Sequence, residues 1–108
     1  MSTVWTRILE LADRGQVVLS DHGYDELAAD GISVRELMAG IKEAAVVEDY
    51  PEYPKGPCVL VLCGDSDGRP LHAVWGISRH ADSPAVLVTA YRPDPKRWEA
   101  DFKTRKST

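Results

Sequence analysis

The sequence predicts an α+β domain, in which two or three N-terminal helices pack on one face of an antiparallel sheet of about four strands and a short C-terminal helix follows. Three observations predict it. Residues 3–42 carry apolar side chains at helical spacing, residues 58–63 form an apolar run typical of an interior strand, and residues 71–91 alternate with the two-residue period of strands. A chain of 108 residues suits a single domain, spanning 1–108, with one core.

The first helix is marked at both ends. Ser2 or Thr3 can cap its start, and Gly15 is positioned to end it. Residues 16–19 then form a short apolar run that suits a strand, although so brief a run is also compatible with a helix or a loop.

Two further helices are predicted from their caps. Ser20 can cap a helix over residues 21–30, which Gly31 ends. Ser33 with Glu36 three residues later has the pattern of a capping box, in which each side chain accepts a hydrogen bond from the other residue's backbone amide. This is the clearest helix start in the chain.

The first two sheet strands follow the helices. Residues 46–50 are predicted to form a strand that ends at a proline-rich loop, and residues 58–63 are apolar on both faces, as in a central strand. Asp65-Ser66-Asp67 resembles the opening of a calcium-binding loop, but the acidic residue expected at its far end is missing. We therefore expect a hairpin turn there.

A β-hairpin formed by residues 71–77 and 85–91 organises the rest of the prediction. Matching the apolar faces of its two strands predicts three cross-strand pairs, Ile77 with Val86, Trp75 with Val88 and Ala73 with Ala90. That register places His72 opposite Tyr91. We expect Trp75 and Val88 on the helix-covered face and the His72–Tyr91 pair on the open face.

The C-terminal stretch is basic. Residues 91–108 hold 6 Lys and Arg against 3 Asp and Glu, whereas residues 1–90 hold 7 against 14. Residues 96–103 suggest a short helix, with Trp98 and Phe102 facing inwards at i, i+4 spacing. A basic end on an acidic body can contact a phosphate backbone, or it can serve as a solubilising tail, and both interpretations stay open.

Composition bounds the class of protein. Hydrophobic content of 44% and charged content of 28% are typical of a globular domain rather than a disordered chain. No apolar run approaches the roughly 20 residues of a membrane helix, and no signal peptide is evident, so we expect a cytoplasmic protein without membrane contact. Cys58 and Cys63 lie on opposite faces of one strand, which predicts reduced thiols. No ligand spacing predicts a metal or other cofactor.

Two histidines are candidates for chemistry. His72 and Tyr91 lie beside the basic stretch, although such a pair can equally be a histidine packed on a tyrosine ring. His22 falls in the first turn of its helix, where the helix dipole disfavours the protonated imidazole and suits a neutral base. The alternative for His22 is a hydrogen bond to a loop carbonyl.

Several motifs together resemble a known bacterial family. They are Ser20-x-His22 ahead of Gly31-Ile32-Ser33, then Val47-Glu48-Asp49-Tyr50-Pro51, His72-x-Val74, and Thr89-x-Tyr91-x-Pro93 with Trp98. The resemblance covers roughly residues 17–105. The family comprises small domains of unknown function that are similar to RelE-like and BrnT-like toxins of toxin–antitoxin pairs, often encoded beside a small zinc-finger antitoxin. Many members carry basic residues in the helix after the histidine, where this chain has Glu26 and Asp30.

The resemblance implies a RelE-like, microbial-ribonuclease-like fold and RNA cleavage without a metal. Such cleavage needs a base for the 2′-hydroxyl, an acid for the 5′-oxygen and cations around the charged phosphorane. His72 can be base or acid, Tyr91 an acid or orienting donor, and His22 a neutral base. The basic candidates are Arg92 or Arg97 for the scissile phosphate, and Lys96, Arg97, Lys103 and Arg105 for the RNA backbone.

Three functional hypotheses follow. The first is a toxin-like endoribonuclease with RNA as partner. The second is a non-catalytic module of a toxin–antitoxin-like complex, which receives a peptide of an antitoxin protein on its free sheet face. The third is an enzyme of another class that uses a pocket beside His72 and Tyr91 for a different substrate. The sequence assigns no oligomeric state.

Overall fold

In a computed structural model, which describes residues 2–107, three α-helices and one 3₁₀ turn pack against a five-stranded sheet. The helices are α1 (Thr3–Asp13), α2 (Asp21–Ala29) and α3 (Val34–Ala39), and the 3₁₀ turn is Ile41–Glu43. The strands are β1 (Val17–Leu19), β2 (Ala45–Tyr50), β3 (Cys58–Gly64), β4 (Pro70–Ile77) and β5 (Ala85–Tyr91). The predicted α+β architecture is confirmed.

The sheet is mixed, with the strand order β1-β5-β4-β3-β2. All neighbours are antiparallel except β1, which pairs with β5 in parallel, Val17 lying opposite Ala85. The strand candidate predicted at residues 16–19 is confirmed as β1, so the sheet has five strands rather than about four, and one pairing is parallel rather than antiparallel. A run of three residues carries no local signal of its partner, which here lies far along the chain.

The predicted helix starts are confirmed by their caps. The hydroxyl of Ser2 accepts a hydrogen bond from the amide of Trp5 at 3.0 Å, and that of Ser20 accepts from Gly23 at 2.9 Å. The capping box of Ser33 and Glu36 is complete, because both reciprocal bonds are present. Helix α2 ends at Ala29, one residue before the predicted end.

The core lies between the helices and one face of the sheet. Ile8 and Leu27 on the helices, and Trp75 and Leu87 on the strands, are each at most 2% exposed. On β4 every second side chain faces this core, which accounts for the alternating pattern seen in the sequence. No helix within residues 2–107 is long and apolar enough to cross a membrane.

The hairpin register is confirmed at one end and wrong at the other. His72 faces Tyr91 and Ala73 faces Ala90 as predicted, but Trp75 faces Leu87, so a β-bulge leaves Val88 without a partner in the register. The two remaining predicted pairs, Trp75 with Val88 and Ile77 with Val86, are therefore wrong. Because the extra residue reverses the alternation, Val88 lies on the open face and is 42% exposed.

The predicted short C-terminal helix is also wrong. Residues 96–103 form successive turns, and only an isolated bridge joins Trp98 to Arg105. The side chains of Asp94 and Asp101 accept hydrogen bonds from backbone amides two residues ahead, which favours turns over helix. Residues 92–106, hereafter the C-terminal segment, cross the open sheet face beside His72.

Candidate functional site

His72 lies on the open face of the sheet, as predicted, but it is fully buried. Its Nε2 is 2.7 Å from the carbonyl oxygen of Phe102, and its Nδ1 is 3.3 Å from the hydroxyl of Tyr91. A carbonyl can only accept, so Nε2 carries a proton. In the neutral imidazole Nδ1 then accepts from Tyr91. The sequence places His72 on the correct face, but not beneath the C-terminal segment.

Trp98 closes the site from above. It is 4% exposed, and its ring meets His72 edge-on at a centroid separation of 4.6 Å. The guanidinium of Arg105 lies over the outer part of the same residue, 4.7 Å from the ring centroid, in cation–π geometry. From the sheet surface outwards, His72 thus contacts Trp98, and Trp98 contacts Arg105.

Glu48, on β2, pairs with Arg105. Its two carboxylate oxygens accept hydrogen bonds from Arg105 at 2.7 and 2.9 Å, a bidentate pairing. The hydroxyl of Tyr50, two residues along the same strand, donates to Glu48 as well. Both residues of β2 therefore face the C-terminal segment. We call Glu48, Tyr50, His72, Tyr91 and Arg105 the polar cluster.

The charges of the polar cluster influence each other. Hydrogen bonding from Arg105 lowers the pKa of Glu48, and the same pairing raises the pKa of Arg105. The pKa of Tyr50 is raised by its hydrogen bond to Glu48. At neutral pH the cluster therefore contains an ionised carboxylate and an ionised guanidinium beside a protonated phenol.

His72 and Tyr91 are tuned mainly by burial. Burial lowers the pKa of His72 and raises that of Tyr91, because each loses hydration of its charged form. The charges of Glu48 and Arg105 act on both residues, which places all of them in one electrostatic neighbourhood. At neutral pH His72 is neutral and Tyr91 retains its proton. Apart from buried His72, every member of the polar cluster is at least partly exposed.

Two predicted catalytic residues lie outside the polar cluster. Arg92 forms an ion pair with Asp65 at 2.8 Å and donates to the carbonyl oxygen of Pro70, so its guanidinium ties the β5 end to the β3–β4 turn. His22 is exposed and lies 3.5 Å from Glu26, with no hydrogen bond to a loop carbonyl among the described residues. Only His72 and Tyr91 of the predicted catalytic group are brought together.

The predicted RNA-contacting cations divide in the same way. Arg105 belongs to the polar cluster, whereas Lys96, Arg97 and Lys103 are exposed and form no ion pair within residues 2–107. These three cations lie on the C-terminal segment, beside the cluster. The segment therefore presents free positive charge to solvent on an otherwise acidic protein.

Glu48 and Tyr50 were missed as site residues by sequence reasoning. They have the i, i+2 spacing that puts two side chains on one face of a strand, and both occur in the Val47–Pro51 motif. That spacing was the available signal. It did not indicate Arg105 as the partner of Glu48, because 57 residues separate the two.

Beyond the C-terminal segment, the open face carries an apolar groove of about 500 Å³. Its floor includes Val74, Gly76, Val86 and Val88, and its lining also includes the following residues: Tyr50, Tyr53, Lys55, Gly56, Pro57, Cys58, Ile77 and Ser78. Burial raises the pKa of the Cys58 thiol, so this cysteine is protonated at neutral pH. We call this cavity the apolar groove.

No group of three or more His, Cys, Asp or Glu side chains within residues 2–107 is arranged to hold a metal ion. The polar cluster instead offers a carboxylate, a guanidinium and a phenol. These groups can accept a proton, hold an anion and donate a proton, which together are the functions needed to displace an alcohol at phosphorus.

Comparison with known proteins gives one match. The model of a family described as a domain of unknown function (DUF4258) matches residues 19–92. The matched range contains Glu48, His72 and Tyr91 of the polar cluster. Searches of curated proteins and of solved structures each found no match.

Proposed function

The chain belongs to the DUF4258 family, and from that premise we propose that it is a toxin-like endoribonuclease that cleaves RNA without a metal ion. One observation carries the proposal. An ionised carboxylate, a guanidinium and a protonated phenol, those of Glu48, Arg105 and Tyr91, lie together on the open sheet face beside exposed cations.

Three of the accessible groups have roles in this reaction. Glu48 removes the proton of the ribose 2′-hydroxyl, whose oxygen attacks the adjacent phosphorus. Arg105 stabilises the charge that develops on the phosphorane. In the last step the hydroxyl of Tyr91 turns from Nδ1 of His72 to the departing 5′-oxygen and donates its proton there, which leaves a 2′,3′-cyclic phosphate and a 5′-hydroxyl. RNA is the substrate class because DNA lacks the attacking 2′-hydroxyl.

The proposal assigns His72 a different role from acid or base. Both of its ring nitrogens are occupied and the side chain is buried, so it does not reach a substrate in this conformation. It accepts a hydrogen bond from Tyr91 and thereby sets the position of the phenol. His72 is thus a positioning residue.

Cleavage of labelled RNA tests the proposal directly. The purified protein should cut a single-stranded RNA but not the DNA of the same sequence, and a chelator should leave the rate unchanged. Glu48→Gln keeps the size of the side chain and removes the base, so it should be inactive. If wild-type protein leaves RNA intact, or if Glu48→Gln cleaves at the wild-type rate, the proposal fails.

A second candidate function is favoured by the apolar groove. A non-catalytic module would receive a peptide of an antitoxin-like partner there, because extended segments bind exposed sheet surfaces through alternate side chains. The two candidates differ in their effect on a bacterial cell. Expression of a ribonuclease toxin should arrest growth and its Glu48→Gln variant should not, whereas expression of a binding module alone should leave growth unchanged.

A further inference from the structure

The apolar groove and the polar cluster are continuous. Tyr50 lines the groove, and its hydroxyl donates to the carboxylate of Glu48. On β4 the same face carries His72, Val74 and Gly76 in succession, the first in the cluster and the other two in the groove. Alternate residues of a strand lie about 6.5–7 Å apart, so the groove begins one side chain away from the cluster.

We propose that the apolar groove binds one nucleobase of the RNA substrate, next to the phosphodiester that Glu48 and Tyr91 act on. The inference rests on the proposed ribonuclease function and adds a substrate-binding site to it. Because a base must leave its double helix to enter the groove, the substrate of this site is single-stranded RNA.

The rim of the groove provides surfaces on which a base can stack. Tyr50 and Tyr53 are 41% and 51% exposed, so both rings are open to solvent at the rim. Bases in single-stranded RNA stack on aromatic side chains of this kind, and their ring edges pair with nearby polar groups. The Lys55 ammonium at the same rim can meet the phosphate that accompanies the base.

A glycine leaves room in the floor. A Cβ atom built on Gly76 would lie 3.5 Å from the Cβ of Cys58 and 3.6 Å from the Cγ2 of Val88, both groove residues. These are ordinary contact distances, so a small side chain is tolerated by the backbone. Any larger side chain at position 76 projects into the space that the base would occupy.

Methyl NMR with an uncleavable ligand tests this site separately from catalysis. The probe is a 2′-O-methyl RNA tetranucleotide, which cannot supply the attacking hydroxyl. Its addition should shift the methyl resonances of Val74, Val86 and Val88. The methyl resonances of Val34, on helix α3 at the opposite face of the sheet, should not move.

Substitutions then identify the stacking surface. Tyr53→Leu keeps apolar bulk but removes the aromatic ring, and should weaken tetranucleotide binding on the order of tenfold. Tyr53→Trp should restore it. Gly76→Val should weaken binding by filling the floor, and its thermal unfolding midpoint shows whether the variant is folded. Val34→Thr is the matched control and should bind like wild type.

The outcomes separate the inference from the proposed function. Shifts at the groove valines together with weakened binding by Tyr53→Leu support the inference, even if the protein proves unable to cleave RNA. Groove resonances that stay fixed, or a Tyr53→Leu variant with wild-type affinity, overturn it. If the protein cleaves RNA but the groove resonances do not shift, the base-binding site is wrong and the ribonuclease proposal is unaffected. A groove that does not respond to RNA could still bind the peptide of the second candidate function.

Discussion

The imidazole of His72 and the backbone carbonyl of Phe102 are joined by a hydrogen bond of 2.7 Å. Because the carbonyl fixes the proton on Nε2, the other ring nitrogen is left to accept from Tyr91. A second proton on the ring would make Nδ1 a donor, so the phenol oxygen of Tyr91 would have to accept instead. Because burial penalises the charged ring, the neutral histidine is the form that suits the site beneath the C-terminal segment.

Protein stability should fall when the pH drops below about 6.5, the ordinary pKa of histidine. Burial lowers the pKa of His72 in the folded state, so below 6.5 the unfolded chain binds more protons than the native protein. Stability is then present above pH 6.5 and is lost as the pH falls towards the lowered value. Denaturant midpoints measured between about pH 7.5 and about pH 5 should show this loss.

Two histidine-to-glutamine substitutions are the matched variants for that measurement. His72→Gln should be less stable than wild type near neutral pH, but its stability should change little between about pH 6.5 and about pH 5. His22→Gln, at an exposed position outside the polar cluster, should follow the wild-type curve. Parallel curves for wild type and His72→Gln would show that His72 is not the group responsible.

His72→Ala should destabilise the protein by about 2–4 kcal/mol, because it leaves a cavity and an unpaired carbonyl. The sequence predicted His72 on an open face, where a substitution usually costs little stability, but the side chain is fully buried. Urea unfolding measures the change. Val88→Ala, at a position 42% exposed on the same face, is the control and should change stability much less.

The sequence predicted the elements better than their long-range contacts. Caps and alternation are local, so the capping box at Ser33 and the pairing of His72 with Tyr91 could both be predicted. The bulge at Val88 could not, because Val86, Val88 and Thr89 are β-branched residues that suit either face of a strand. From the bulge onwards the predicted register was wrong.

The C-terminal segment shows the same limit. Trp98 and Phe102 have helical spacing, but the carboxylates of Asp94 and Asp101 bind backbone amides within turns. Burial of Trp98 against His72 then depends on the folded sheet rather than on local preference. The site residues of β2 and those of this segment are far apart in the sequence, and only the folded structure brings them into contact.

Ser33→Ala should cost on the order of 1 kcal/mol of stability, because it removes the acceptor for the amide of Glu36. Glu36 also accepts hydrogen bonds from Ser66, which joins the start of α3 to the β3–β4 turn. Ser33→Thr keeps the hydroxyl and should behave nearly like wild type. An unfolding midpoint equal in all three proteins would mean that the cap contributes nothing measurable.

RNA affinity should fall steeply with salt, because each phosphate contact releases counterions. Replacing Lys96, Arg97 and Lys103 together with glutamine should weaken binding and reduce the slope of log affinity against log salt. Each lost contact accounts for about 0.7 of that slope on a single strand. Lys42→Gln, on the helix side and paired with Asp13, should keep the wild-type slope. A slope unchanged by the triple substitution would place the RNA on another surface.

The rate of RNA cleavage should depend on the accessible members of the polar cluster. Tyr91→Phe removes the proposed acid and should slow cleavage by ~10²–10⁴-fold. Arg105→Gln should also slow the reaction, since it removes the charge that faces the phosphorane. Arg92→Ala is the control, because that guanidinium is paired with Asp65 at the β3–β4 turn and lies outside the polar cluster.

The pH profile of the reaction distinguishes Glu48 as a base from a merely structural carboxylate. The hydrogen bonds of Arg105 lower the pKa of Glu48 below its ordinary value of 4.5, so the base stays ionised and the rate should decline only at pH below 4.5. Without the Arg105 guanidinium that pKa rises. The acid limb of the residual activity in Arg105→Gln should therefore move to higher pH, and profiles measured on RNA under single-turnover conditions give its midpoint. If the limb stays where it is in wild type, the proton acceptor is a group other than Glu48.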